Sequence, residues 1–168
     1  NPNGMVNRMP TSGNYILSPG SWGTEVADLV GQPAYATLAI ETEYNSSSRM
    51  LNIQTKAKFI KEALGQFNLL VCITEDSLVA AQANNDPTIG TVPIDTNYVN
   101  NHVLRGTVNG TWGEMLTEEN VITGFDYINN FQIILESDWT PKHCHVVAFI
   151  YDNQVKSLLQ VAEEKVIK

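Results

Sequence analysis

The residues best able to do chemistry crowd into one stretch, 98–114. Three Asn, His102, Arg105, Trp112 and Glu114 stand there among three Gly and a few aliphatics. Neither strand nor helix periodicity accounts for that mixture. Half-exposed Trp, Arg and His on a loop are what binding surfaces use. Trp112 suits a stacking anchor, and Arg105 suits a partner for a carboxylate or sulfate. His102, Arg105, Trp112 and Glu114 are therefore the candidate ligand contacts. The same residue types also fasten long loops onto β-sandwiches, so loop-locking is the competing role for all four.

Other chemistry finds less support. His143-Cys144-His145 with Cys72 or His102 has the donors of a zinc tetrad. In a strand, however, 143 and 145 face one way and 144 the other, so the run does not converge and no metal site is assigned. A serine hydrolase needs a G-x-S-x-G turn, and Ser21 in Gly20-Ser21-Trp22-Gly23 sits instead at a helix start. No C-x-x-C and no phosphate loop occurs. Glu75, Asp76, Glu114, Glu118 and Glu119 match no calcium-loop spacing. The expectation is a non-enzyme with no catalytic residue and no cofactor. Asn45-Ser46-Ser47 and Asn109-Gly110-Thr111 match the N-glycosylation pattern, which suits loops.

The elements that must position these residues are mostly strands. Trp22, Val26, Leu29 and Val30 recur at helical spacing before Gly31 and Pro33, which predicts a short amphipathic helix over 21–30 with an apolar face to dock. From Ala34 the period becomes two. Strands are expected over 35–44 and 49–60, joined by the turn Asn45-Ser46-Ser47-Ser48. In the second, Leu51, Ile53, Thr55, Ala57 and Phe59 alternate with Asn52, Gln54, Lys56 and Lys58, so one face of the sheet is wet. Residues 66–74 are apolar on both faces and predict a covered central strand.

A long irregular excursion over 76–124 follows. Strands resume over 130–136, 145–151 and 156–163, the last two joined at Asp152-Asn153-Gln154. The fold class is mainly β, an antiparallel immunoglobulin-like β-sandwich with one short N-terminal helix. Cys72 and Cys144 both fall in strands, where they can form an inter-sheet disulfide or remain buried free thiols.

Composition bounds the rest. The 168 residues are 43% hydrophobic and 17% charged, which fits a globular chain. A net charge of −8 argues against nucleic acid and against electrostatic docking on anionic membrane. The longest apolar run, 146–151, is strand-sized and far short of a membrane span. The chain opens Asn1-Pro2 rather than with Met and is expected to be a piece of a longer precursor.

Four motifs in order point to a family. They are Ile73-Thr74-Glu75-Asp76 with Gln82 after it, Asn101-His102-Val103-Leu104-Arg105, Gly110-Thr111-Trp112-Gly113-Glu114, and Val147-Ala148-Phe149-Ile150-Tyr151-Asp152 with Leu159-Gln160. In this order the chain resembles the twenty-eight-kilodalton outer-membrane lipoprotein family of Bacteroides-group bacteria. The resemblance implies an exported lipoprotein with a thioredoxin-like N-terminal part and a β-sandwich C-terminal part. Residues 1–33 would be the tail of the upstream part plus linker, and 34–168 the sandwich domain.

Location would be the outer membrane, on its cell-surface or periplasmic face, with membrane contact only through a lipid anchor outside this chain. The family is described as a surface adhesin or receptor-like antigen. That implies adhesion or ligand binding, with a host protein or glycan as partner. An accessory domain that positions an upstream thiol-disulfide enzyme, or a purely structural lipoprotein domain, is the alternative. Asp76-Ser77-Leu78 also resembles the O-glycosylation sequon of these bacteria.

Overall fold

Alternation decides the smaller sheet. Leu51, Ile53, Thr55, Ala57 and Phe59 are all buried on one face of a single strand, as their period of two requires. The computed structural model describes residues 3–117 and 120–168; Asn1, Pro2, Glu118 and Glu119 lie outside the described residues. The chain runs through α1 (Pro19–Leu29), β1 (Ala36–Asn45), β2 (Met50–Phe59) and β3 (Phe67–Glu75). Four two-residue strands follow: β4 (Leu78–Val79), β5 (Gln82–Ala83), β6 (Ile94–Asp95) and β7 (Val99–Asn100). Then come β8 (Val103–Thr107), β9 (Glu114–Thr117), β10 (Asp126–Ile134), β11 (Cys144–Asp152) and β12 (Leu158–Lys165).

Two antiparallel sheets form the sandwich. The three-stranded sheet has the order β1-β2-β10. Its first hairpin turns where expected, with Asn45 Oδ1 accepting the Ser47 and Ser48 amides at 3.0 and 3.2 Å. The five-stranded sheet has the order β12-β11-β3-β8, with β9 also on β3. Ile40, Ile53 and Phe59 of the first sheet pack against Leu69, Val71, Val146 and Ile150 of the second. The Thr42 hydroxyl donates to Lys165 O (2.8 Å) and the Gln160 amide to Ala36 O (2.9 Å), which ties β1 to β12 along one side.

β3 is buried along its whole length, as its two apolar faces require. Its outward residues Leu70 and Cys72 join Tyr151 in a second apolar cluster. The N-terminal segment covers part of that face: Arg8 lies over the Phe149 and Tyr151 rings (4.8 and 5.4 Å), and Leu158 N donates to Asn7 O.

No inter-sheet disulfide forms. Cys72 and Cys144 lie in adjacent strands of the same sheet, Cys144 opposite Glu75 and Cys72 opposite Val147, and they face opposite sides. Both are buried free thiols. Burial raises both thiol pKa values, Cys144 to about 11 with the Glu75 carboxylate adding to the effect.

Two other expectations need correction. The helix forms, starting two residues early at Pro19, but none of its residues is buried and Val26, Leu29 and the following Val30 remain exposed. Polar contacts hold it instead: Trp22 Nε1 donates to Leu17 O, and Glu25 Oε2 accepts the Thr11 hydroxyl at 2.6 Å. The excursion is also more regular than its composition suggests. Leu78 and Val79 pair with Asn100 and Val99, and Gln82 and Ala83 pair with Asp95 and Ile94, which makes a hairpin arm. The chain then returns along β3 as β8 and β9, an edge strand broken by the loop 108–113.

Candidate functional site

The arm leaves the sheet at a kink built by two crossed side-chain contacts. Ser77 and His102 both adopt the left-handed conformation (φ 63° and 53°). Asp76 Oδ1 accepts the His102 amide at 2.7 Å, and Asn101 Oδ1 accepts the Ser77 amide at 3.0 Å. The first of these bonds holds the Asp76 carboxyl below the usual carboxylate range.

The kink lifts His102 onto the outer face, where its ring centroid is 6.1 Å from that of His145. Asp76 lies 3.6 Å from His102 Nδ1 and 3.6 Å from His145 Nε2. Glu163 lies 3.7 Å from His102 Nε2 and touches His145 Nδ1. Four titratable groups from separate parts of the chain thus meet at the base of the arm.

Arg105 does not belong to that surface. Its side chain is only 19% exposed, and Nε lies 3.4 Å from Oε2 of Glu75, which is 1% exposed. Glu75 Oε2 has no hydrogen-bond partner, so at that distance Arg105 supplies charge rather than a hydrogen bond. Glu75 Oε1 accepts the Thr140 amide at 2.8 Å, while Arg105 Nη2 pairs with Asp138 and the guanidinium lies 5.4 Å from the Trp139 ring centre. Arg105 therefore holds the 136–140 loop on the sheet, which is the loop-locking role.

Trp112 divides the two roles between backbone and ring. Its carbonyl accepts the Asn68 amide (3.3 Å) and the Tyr151 hydroxyl. A Cβ on the next residue, Gly113 (φ +65°), would come within 2.1 Å of Leu69 O. The Asn109 side chain fills the break between β8 and β9, with Oδ1 accepting Val71 N–H and Nδ2 donating to Leu69 O, both at 2.9 Å. The turn is thus fixed on β3, yet Trp112 as a residue is 62% exposed. Lys156 Nζ lies 5.6 Å from the ring centre and donates to the Asn153 backbone and side-chain oxygens. Glu114 points elsewhere and accepts the Asn129 amide at 3.1 Å.

The four candidates accordingly do not converge. Leu69 pairs with Glu114 and Glu75 with Val103, six residues apart along β3 or about 20 Å. His102 and Trp112 mark opposite ends of the strand.

Comparison with known proteins decides the family. The sequence model described as "Outer membrane protein Omp28" matches residues 1–168. The chain belongs to the Omp28 family. A solved structure, a domain of the outer membrane lipoprotein Omp28 from Porphyromonas gingivalis, shares its fold with a TM-score of 0.53 and 24% sequence identity. The match covers 79% of this chain and 88% of that one. No curated protein matches the chain.

The Omp28 family is one of outer-membrane proteins, which places the chain at that membrane. Among the described residues no helix of this chain is long and apolar enough to cross a membrane. Sequence reasoning set His145 beside His102 only within a zinc set that it did not assign, and it missed Asp76 and Glu163 as neighbours of His102, and Asn68, Tyr151 and Lys156 as supports of Trp112. A partial signal exists for one pair: His145 and Glu163 have the same strand phase once Val147 is opposite Glu163. Nothing local signals the others, because turns and strand pairing bring them in.

Proposed function

We propose that this domain is a non-enzymatic binding module of a lipid-anchored outer-membrane lipoprotein, facing the cell exterior and attaching it to a host protein or glycan. One observation carries the reading: the turn that presents Trp112 is fastened to the sheet by its backbone, while the indole is left in solvent. A large apolar ring held in water costs solvation, and a pre-ordered backbone lowers the entropy lost when a ligand docks on it. Sugars and protein side chains both stack on such a ring. Lys156, beside it, adds a positive charge on a chain that is otherwise acidic.

The test is binding of the labelled, purified chain to host cells, matrix proteins and a glycan panel. Saturable binding that Trp112→Ala removes supports the reading. Arg105 is left unchanged in this test, because its removal would strip the buried Glu75 of its counter-charge. A second reading, an accessory domain positioning an upstream thioredoxin-like partner, is favoured by α1, whose Val26 and Leu29 are exposed. Binding of the isolated thioredoxin-like part to this domain, lost on Val26→Asp, would favour it.

A further inference from the structure

The smaller sheet ends in a strand with one side unpaired. β10 closes the order β1-β2-β10, and among the described residues its backbone pairs only with β2. Leu135 N donates to Arg49 O one step past the last paired residues, which sets the phase of that pairing. Hydrogen-bonded positions alternate in an antiparallel pair, so Tyr127, Asn129, Phe131 and Ile133 turn their backbone groups toward β2. Asp126, Ile128, Asn130, Gln132 and Ile134 turn theirs away from it, along an edge of nine residues.

The other edges are blunted. The β8 and β9 edge is cut by the loop 108–113 and shifts register on β3 in both halves. β1 exposes Glu41 and Glu43 and is tied to β12. β10 runs against β2 without a register shift and contains no Pro, Lys or Arg. Its one charge, Asp126, is paired with Lys56 and Lys58 at 2.8 and 2.9 Å. A long, regular and nearly uncharged edge is a template for a strand from another chain.

We propose that β10 is a dimer interface, pairing antiparallel with β10 of a second copy of this chain about a two-fold axis at Phe131. The register selects a second copy. About that axis Ile128 stands opposite Ile134 of the second copy, and Asn130 opposite its Gln132, so apolar meets apolar and amide meets amide. An axis at Asn130 would instead set Asp126 against Ile134 and Ile128 against Gln132.

Donors and acceptors match in the same register. Gln54 Nε2 donates to Asn130 Oδ1 at 2.9 Å, and Gln132 Nε2 donates to Asn52 Oδ1 at 2.8 Å. The edge therefore presents the Asn130 amide NH2 as donor and the Gln132 carbonyl oxygen as acceptor, and the two-fold axis brings them together twice. Burial agrees as well. Ile128 and Ile134 are 52% and 60% exposed, and Tyr127, Phe131 and Ile133 on the inner face are only partly buried. A second β10 extends the three-stranded layer past this margin and sets one Phe131 beside the other.

The test is sedimentation of the full 168-residue chain over a concentration series reaching about 100 µM. A reversible dimer is expected. Ile134→Lys puts a charge opposite Ile128 at both ends of the pairing and is expected to weaken the dimer at least about tenfold. Ile128→Lys changes the other member of that pair and should do the same, so either variant decides the matter if the other fails to fold. Mild oxidation of mixed Asn130→Cys and Gln132→Cys chains should yield the mixed disulfide, since Cys72 and Cys144 are buried. A monomer at every concentration overturns the proposal and leaves the edge to a strand of another protein. A dimer that folded lysine variants leave intact also overturns it, as does crosslinking only between like Asn130→Cys chains.

Discussion

Arg105 and Glu75 form the contact on which one end of the sandwich rests. The carboxylate is withdrawn from water at the end of β3, and the guanidinium faces it at 3.4 Å while also pairing with Asp138. Removing one partner of such a pair leaves a buried charge without compensation. Arg105→Ala should cost about 3 kcal/mol in urea unfolding. Adding Glu75→Gln to it should recover part of that loss. A loss within about 0.5 kcal/mol for the single variant would show that Arg105 is an ordinary surface residue.

Asn109 does the work of a missing strand residue. Its side chain takes the Val71 amide and gives to Leu69 O, bridging the gap between β8 and β9. Asn109→Ala should destabilise the chain by about 1 to 3 kcal/mol and speed exchange of the Val71 amide. Because Nδ2 is already engaged with the sheet, this Asn is a poor glycan acceptor despite its sequon. Intact-mass analysis after expression in a glycosylating host should find no sugar on it.

The thiols give a direct check on the fold. Both are buried, lie on opposite faces of one sheet and have raised pKa values, Cys144 to about 11. A thiol reagent at neutral pH should label neither in the native chain, and both after denaturation without reductant. Failure to label either after denaturation would mean a disulfide, and with it a different strand arrangement.

Stability should fall in acid. Hydrogen bonds from Lys56 and Lys58 hold the Asp126 carboxyl below the usual carboxylate range, and the His102 backbone N–H does the same for Asp76. A depressed folded pKa contributes stability that is present above the unfolded value, about 3.9, and lost as pH falls through the folded one. The unfolding midpoint should therefore drop below about pH 4. Asp126→Asn should flatten that drop, and an unchanged acid limb in this variant would remove Asp126 from the account.

Much of the scaffold was legible because it is local. The Leu51 to Phe59 alternation, the double-faced β3 and the Asn45 turn each follow from neighbouring residues and one period. β8 and β9 were not legible, because a loop divides them and a side chain, Asn109, completes their pairing. The site divides in the same way. Trp112 could be singled out by type, but its carbonyl anchors, Asn68 and Tyr151, come from distant strands. Arg105 looked the same as Trp112 in sequence, and only the buried Glu75 opposite it separates structural from surface duty. The exposed face of α1 could not be read either, since periodicity shows an apolar stripe and not what covers it.

The measurement that bears most directly on the central claim is the affinity of Trp112→Ala for the ligand panel, taken on a sample whose melting temperature is recorded. The account predicts saturable binding by the parent chain and its loss in the variant. It also predicts an unchanged melting temperature, because the ring is in solvent and the backbone anchors remain. A variant that binds as the parent does, or that melts far below it, would contradict the account and make the Trp112 turn part of the scaffold.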